Sequence, residues 1–259
     1  SGVSAETTTA SFAQDYPSRP VRLVVATSPG GGTDTLARIL GGALGARLKQ
    51  QFVVDNRPGG SGIVGTELVA RAAPDGHTLL MGFIASLAIT PALMATPYDP
   101  LQDLAAISLV ADAQYLLVVH PSLPARSLRE FVAYAKANPG RINVATAGYG
   151  TPVHLSAELF KLVAGIDIVA VPYKGGGPAA SAVLAGESQV IFGSVSATLP
   201  HIKAGKLIGL GTTGSKRSPA APQFPTIAEQ GYPGFEVTSW YALMGPAGMP
   251  AAIVTRLNA

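Results

Sequence analysis

The chain has 259 residues, of which 47% are hydrophobic and only 13% charged, and 18 Lys+Arg against 15 Asp+Glu leave a formal net charge of +3. That length suits two lobes or one large α/β domain, and the charge is too small and too dispersed for a nucleic-acid surface. There is no cysteine, which excludes disulfides, thiol catalysis and cysteine metal sites, and no apolar run approaches the roughly 18 residues of a membrane span.

Residues 1–15, SGVSAETTTASFAQD, are small and polar and are expected to be disordered or an appended remnant. The first ordered stretch is VRLVVATSPGGGTDTLARIL. Its β-branched run Val21–Ala26 predicts a buried strand. The glycines Gly30–Gly32 break it, and helical spacing resumes at Thr33, with Leu36, Ile39, Leu40, Ala43, Leu44 and Leu48 predicted on the inner face. A strand, a glycine turn and a helix start aim backbone N–H groups and the positive helix end at one spot, which suits an anion. A nucleotide loop would need a lysine after Gly32, and a dinucleotide loop would need glycine or alanine where Thr35 stands. A purely structural turn remains open from this stretch alone.

Phe52–Asp55 reads as a second strand, Arg57–Gly62 as a turn, and the next helix places Val64, Leu68, Val69 and Ala72 inward. Thr78–Gly82 is a third strand, so the first 82 residues spell β-α-β-α-β, the pattern of a parallel sheet. The loops Ser28–Thr33, Arg57–Gly62 and Phe83–Thr90 should open at one sheet edge, where such sheets bind ligands. Gly59, Gly60 and Gly62 are read as turn chemistry rather than contacts.

After a proline-rich stretch, Leu104–Val110 is predicted to cross into a second lobe. There the strand Tyr115–His120 precedes a helix opened by a capping box of Ser127 and Glu130. The strand Ile142–Ala145 leads to Thr146–Thr151 and a helix with Thr151 as N-cap and Pro152 at its first position. The strand Ile168–Val171 leads to Pro172–Gly177 and a helix from Pro178. Val190–Phe192 and Leu207–Thr212 complete that sheet, with a helix near Leu199–Ala204. Thr226 and Glu229 form a second capping box, and Glu236–Met244 is a candidate return strand. The expected division is 16–107 with 239–259 as one lobe and 108–238 as the other. Two α/β lobes joined by two crossings, each aiming a glycine turn at a shared hollow, can clamp a small acid.

VVATSPGGGTDTLAR, VDNRPGGSGIVGTELVARAAPDGHTLLMG, NPGRINVATAGYGTPVHLSAELF, VPYKGGGPA, HIKAGKL and FPTIAEQGYPGFEV resemble, in order, the substrate-binding receptors of tripartite tricarboxylate transporters, the Bug family. The resemblance covers residues 16–259. It implies a two-lobed, periplasmic-binding-protein-like α/β fold, a mature periplasmic protein whose signal peptide has been removed, and a monomer. It also implies a small organic acid as ligand, membrane permease subunits as partners, and no cofactor. By motif it places a carboxylate on Ser28, Gly31, Gly32, Thr33 and Asp34. Thr146, Gly148, Tyr149, Gly150, Thr151 and His154 would hold the other end, and Ser86, Tyr173, Lys174, Gly175 and Ser194 would line the walls.

Ser194 and Pro152 replace more polar residues of the family pattern, which disfavours an amino-acid ligand. Tyr149 and Phe83 could stack on a ring, so an aromatic carboxylate stands beside aliphatic dicarboxylates. Asp34 would repel an anion at short range and is read as a cap ordering the glycine loop. His77, His120 and His201 show no ligand spacing, so no metal is expected. The rival readings are a sensor for a signalling partner and an enzyme on the same frame. Against the enzyme stands the lack of Gly-x-Ser-x-Gly, His-Glu-x-x-His and a lysine-bearing phosphate loop.

Overall fold

A computed structural model describes residues 16–259; the reading of residues 1–15 lies outside the described residues. The elements run β1 (Val21–Val25), α1 (Gly32–Leu48), β2 (Phe52–Asn56), a 3-10 turn (Gly60–Gly62), α2 (Ile63–Ala70), β3 (Thr78–Phe83), a π-helical turn (Ala85–Ile89), α3 (Thr90–Leu93) and β4 (Leu104–Val119). Then come α4 (Leu128–Ala137), β5 (Asn143–Thr146), α5 (Pro152–Ala164), β6 (Val169–Pro172), α6 (Gly176–Leu184), β7 (Val190–Ser194), α7 (Val195–Lys203), β8 (Ile208–Thr212), a 3-10 turn (Ala228–Gln230), β9 (Thr238–Pro246) and α8 (Ala251–Asn258).

The chain forms two compact units: residues 36–111 and 241–259 with the strand-bearing stretch up to Ala26, and residues 112–240 with Thr27–Thr35. The boundaries near 111 and 240 fall inside β4 and β9, so two continuous strands carry the chain from one unit to the other. Thr27–Thr35, expected with the first lobe, groups with the second unit because its glycines rest on those of residues 175–177.

In the first unit β1 lies between β2 and β3, parallel to both, with Val21 opposite Phe52 and Arg22 opposite Thr78. β9 adds antiparallel to β3, pairing Leu80 with Met244. Val21, Leu23, Val24, Val25, Leu79, Leu80 and Met81 are fully buried, as expected of strands covered on both faces.

The helices over them bury only part of the face the periodicity pointed to: Leu44 and Val69 turn inward as expected, but Ile39 and Val64 do not. Ile39 is 64% exposed and Val64 50%, whereas Ala37, Leu44, Gly65, Thr66 and Val69 are buried. The inner stripe is small because the helices lie close to the sheet. A Cβ on Gly41 would sit 3.4 Å from Phe52 Cβ, and one on Gly65 would sit 2.7 Å from Ala26 Cα.

In the second unit β4 pairs antiparallel with β7 and β8, and β5 runs parallel between β6 and β7. Each sheet is therefore mixed: parallel inner strands carry the helices, and the antiparallel partners are the strands that continue into the other unit. Leu104–Val110 and Tyr115–His120, read as separate segments, are one 16-residue strand. Phe160 of α5 centres the core, with ring centroids 5.9 Å from Phe192 and 5.8 Å from Phe235. Burying such rings is a large apolar contribution to this core.

The Thr226–Glu229 capping box forms in both directions, whereas at Ser127 the Glu130 carboxylate reaches back to the Arg126 N–H, at 2.6 Å, rather than to that of Ser127. Ser127 Oγ accepts from the Glu130 N–H at 3.2 Å, and Thr226 Oγ1 accepts from the Glu229 N–H at 3.0 Å while Glu229 Oε2 accepts from the Thr226 N–H at 2.9 Å. The second box heads a single 3-10 turn rather than an α-helix.

Candidate binding site

The site is built on the carboxyl-terminal edge of β6, β5 and β7. Thr146 at the end of β5 is in register with Pro172 at the end of β6, and the Tyr173 N–H donates to the Thr146 carbonyl at 2.9 Å. β7 runs parallel to β5 and ends at Ser194. Helices α5, α6 and α7 therefore all begin on this edge, each presenting its positive end there.

The turn before α1 joins them. The Ser28 hydroxyl donates to the Lys174 carbonyl. Cβ atoms added to Gly30 and Gly31 would meet Gly177 Cα at 3.7 Å and Gly177 N at 3.5 Å, and Gly177 has no room for a Cβ beside the Pro29 carbonyl. Gly30 at φ +81° and Gly175 at φ +120° hold conformations that side chains resist. Two glycine turns thus meet backbone to backbone, and two helix starts come together.

Within the first turn, the Gly30 N–H donates to Asp34 Oδ2 at 2.9 Å, and the Thr35 N–H and hydroxyl both donate to the Gly31 carbonyl, at 3.0 and 3.1 Å. Asp34, buried, orders the loop from inside. Helix geometry leaves the N–H groups of Gly32 and Thr33 in α1, and of Gly176 and Gly177 in α6, without an intrahelical carbonyl. Converging helix-start amides form a cradle for an anion. Gly176 and Gly177 were not singled out from the sequence, although the triplet Gly175–Gly177 repeats Gly30–Gly32.

The turn after β5 is more self-contained than its glycines suggest. The Thr151 hydroxyl donates to the Gly148 carbonyl at 2.7 Å, the Gly150 N–H donates to His154 Nδ1 at 3.3 Å, and the His154 N–H donates to Thr151 Oγ1 at 3.4 Å. Pro152 has no N–H to offer. Tyr149 is 64% exposed and meets the His154 ring edge-on.

The other residues named from the motifs have these surroundings. Thr146 is fully buried, its hydroxyl 3.4 Å from the Val171 carbonyl. The Tyr173 phenol reaches Ser188 at 3.3 Å, and Lys174 is exposed. The Ser194 carbonyl accepts from Thr198 Oγ1 at 2.9 Å. Ser86 belongs to the first unit, fully buried in the π-helical turn, and its carbonyl accepts from the Tyr98 hydroxyl at 2.7 Å. In the same unit a Cβ on Gly62 would strike Ser86 Cβ at 2.8 Å, so the turns after β2 and β3 pack together at one edge.

Among the described residues no group of three or more His, Asp or Glu could hold a metal ion, and no helix is long and apolar enough to cross a membrane. The edge carries helix-start N–H groups, donors of the kind that favour negative charge.

Comparison with known proteins agrees. Residues 36–259 match the model of the tripartite tricarboxylate transporter family receptor. Protein BugT of Bordetella pertussis is 41% identical over 248 residues, covering 95% of this chain and 76% of its own length. Among solved structures, that titled R. palustris Rpa4515 with adipate superposes at TM-score 0.90 with 37% identity, covering 94% of this chain and 82% of its own. MatC (Rpa3494) from Rhodopseudomonas palustris with bound malate gives TM-score 0.86 and 34% identity, covering 94% and 83%. Periplasmic binding protein BugD gives 0.88 and 34%, covering 93% and 81%. These relatives are binding proteins and not enzymes, and the fold they share is the two-lobed α/β fold of periplasmic solute receptors. With the match spanning most of its length, this chain belongs to the tripartite tricarboxylate transporter receptor family.

Proposed function

We propose that the protein is a periplasmic receptor that captures a small organic acid, a dicarboxylate or an aromatic carboxylate, and passes it to the membrane subunits of a tripartite carrier. The observation that carries this reading is the meeting of the α1 and α6 helix starts, glycine against glycine. One carboxylate of the ligand sits on the amides of Gly32, Thr33, Gly176 and Gly177, with the Thr33 hydroxyl as a further donor. Main-chain donors suit this task because they are fixed before the ligand arrives and need no ordering on binding. The relatives solved with adipate and malate support a carboxylate. The exposed Tyr149 ring, on the same edge, supports extending the class to aromatic acids.

A thermal-shift screen tests the reading. A ligand that binds only the folded state stabilises it by about 2.7 kcal/mol at a hundredfold excess over Kd, and malate, adipate or an aromatic carboxylate is expected to raise Tm by several degrees. Stabilisation by sugars or amines, with none by any carboxylate, would contradict it.

A further inference from the structure

β2 is an end strand: among the described residues it pairs with β1 alone. The Gln51 carbonyl accepts from the Val21 N–H and the Arg57 N–H donates to the Val25 carbonyl, each at 2.8 Å. Bonding sides alternate along a strand, so the N–H and C=O groups of Phe52 and Val54 point away from β1. A groove of about 660 Å³ runs along that open side, between β2 and α1 and wholly within the first unit. Its floor is low because Gly41, Gly42 and Gly45 bring no side chains to it, and a Cβ on Gly42 would meet nothing within 4 Å. Val53 lines it and is 50% exposed.

Arg38 and Lys49, both exposed, line opposite ends of this groove. The Arg38 guanidinium donates to Asn56 Oδ1 at 3.4 Å, at the close of β2, while Lys49 stands in the turn that enters the strand. Along α1 the helical rise sets their backbones about 16 Å apart, roughly the length of five strand residues. Residues 38–57 hold Arg38, Arg47, Lys49 and Arg57 against the single carboxylate of Asp55, which Arg22 and Arg57 already share. The other carboxylate of α1, Asp34, is buried in the glycine turn. We propose that this margin docks an extended acidic segment of a partner protein, which pairs with β2 as an added strand and lays its carboxylates beside Arg38 and Lys49.

The chemistry of the groove selects this occupant. Outward N–H and C=O groups on an end strand are matched by another main chain, which a small organic acid does not carry. Such an acid is also too short to reach both cations. The missing side chains of Gly41, Gly42 and Gly45 leave room for those that an incoming strand turns toward α1. A second copy of this chain fits the backbone but not the charge. Identical strands that meet about a two-fold axis run antiparallel, so pairing centred on Val54 would bring the Arg57 of one copy toward the Lys49 of the other. Like charges set opposite each other destabilise a strand pair, and lysine on an end strand guards against such self-pairing. A strand bearing carboxylates turns the same cations into attractions.

Peptide titration of the whole nitrogen-15-labelled chain decides it. The probe is a blocked peptide of valine and threonine with glutamates about four residues apart, matched to the length of β2. One control carries lysine in place of glutamate, and another keeps the glutamates but has N-methyl groups on alternate amides. The acidic probe is expected to shift the Phe52 and Val54 amide signals and to slow their hydrogen exchange. Its affinity should fall about tenfold in Arg38→Glu with Lys49→Glu, where two attractions become repulsions. Val54→Pro removes an N–H that faces outward, a change an end strand tolerates, and should abolish binding in a protein that still melts cooperatively. Neither control peptide should bind. Failure of the acidic probe to bind, equal binding of the lysine peptide, full affinity of the N-methylated peptide, or unmoved Phe52 and Val54 amides would overturn the proposal. So would a dimer seen in sedimentation and lost in Val54→Pro, because the margin would then belong to a second copy.

Discussion

The Gly177 backbone lies against the Pro29 carbonyl so closely that a Cβ on Gly177 would overlap the oxygen. This contact brings two glycine turns, distant in sequence, to a single donor surface. Gly177→Ala must push the turns apart. It is expected to cost about 1–3 kcal/mol, as overpacking does, and to weaken carboxylate binding. Gly42→Ala in exposed α1, where nothing lies within 4 Å of the added Cβ, should instead stabilise by up to about 1 kcal/mol. Thermal melts of both variants check the contrast.

Asp34 is buried and accepts the Gly30 N–H. Asp34→Ala leaves that donor without its acceptor and is expected to cost about 1–3 kcal/mol. Asp34→Asn keeps an acceptor in place and should cost less. Urea unfolding of the pair measures the difference; equal losses would mean that the loop does not depend on this bond.

How much of this was legible beforehand depended on whether the signal was local. Ser127 with Glu130, Thr226 with Glu229, and Thr151 capping the helix that Pro152 opens are short-range chemistry, and the residues name it directly. The alternation of strands and helices was equally readable from periodicity. The inner face of α1 was readable only in part: Leu44 is buried as expected, but Ile39 outranks Ala37 and Gly41 on any hydrophobic count, yet the close approach of Phe52 demands small residues there. Glycines carry no hydropathy signal, so a helix that buries glycine is read with its inner face shifted. The union of the Ser28–Asp34 and Lys174–Gly177 turns joins residues some 146 positions apart, and nothing in either turn specifies its partner. Tyr173 stood in a ligand-like motif, but the direction of its phenol, toward Ser188, is set by core packing.

Gly65 in α2 shows the same dependence on missing side chains in the first unit. An added Cβ would lie 2.7 Å from Ala26 Cα, 2.8 Å from Ala26 Cβ and 2.9 Å from the Arg57 carbonyl. Gly65→Ala is expected to destabilise by about 1–3 kcal/mol despite alanine's better helix propensity. A Tm at or above that of the wild type would show that α2 can move off the sheet.

Asp55 supplies a pH test. Partial burial works against its charge, but hydrogen bonds and charge attraction from Arg22 and Arg57 prevail and hold its carboxyl below the usual range. Arg22 Nε donates to Asp55 Oδ2 at 2.6 Å, and Arg57 Nε lies 3.0 Å from Oδ1. A carboxyl depressed in the folded state stabilises above its unfolded value of about 3.9, and that contribution is lost as pH falls through the folded value. The Tm gap between wild type and Asp55→Asn should therefore be widest near neutrality and close below about pH 4. A gap that persists unchanged in acid would remove the ion pairs as its cause.

The most direct test of the main-chain cradle is calorimetric titration of malate and adipate into Gly31→Ala and Gly31→Val. A Cβ at Gly31 would sit 3.5 Å from Gly177 N and 3.6 Å from Gly176 Cα, so alanine fits while the branches of valine reach over the amides meant for the ligand. The expected result is measurable binding in wild type and Gly31→Ala, and none in a cooperatively folded Gly31→Val. An affinity in the valine variant equal to that of wild type would place the ligand somewhere other than these glycines.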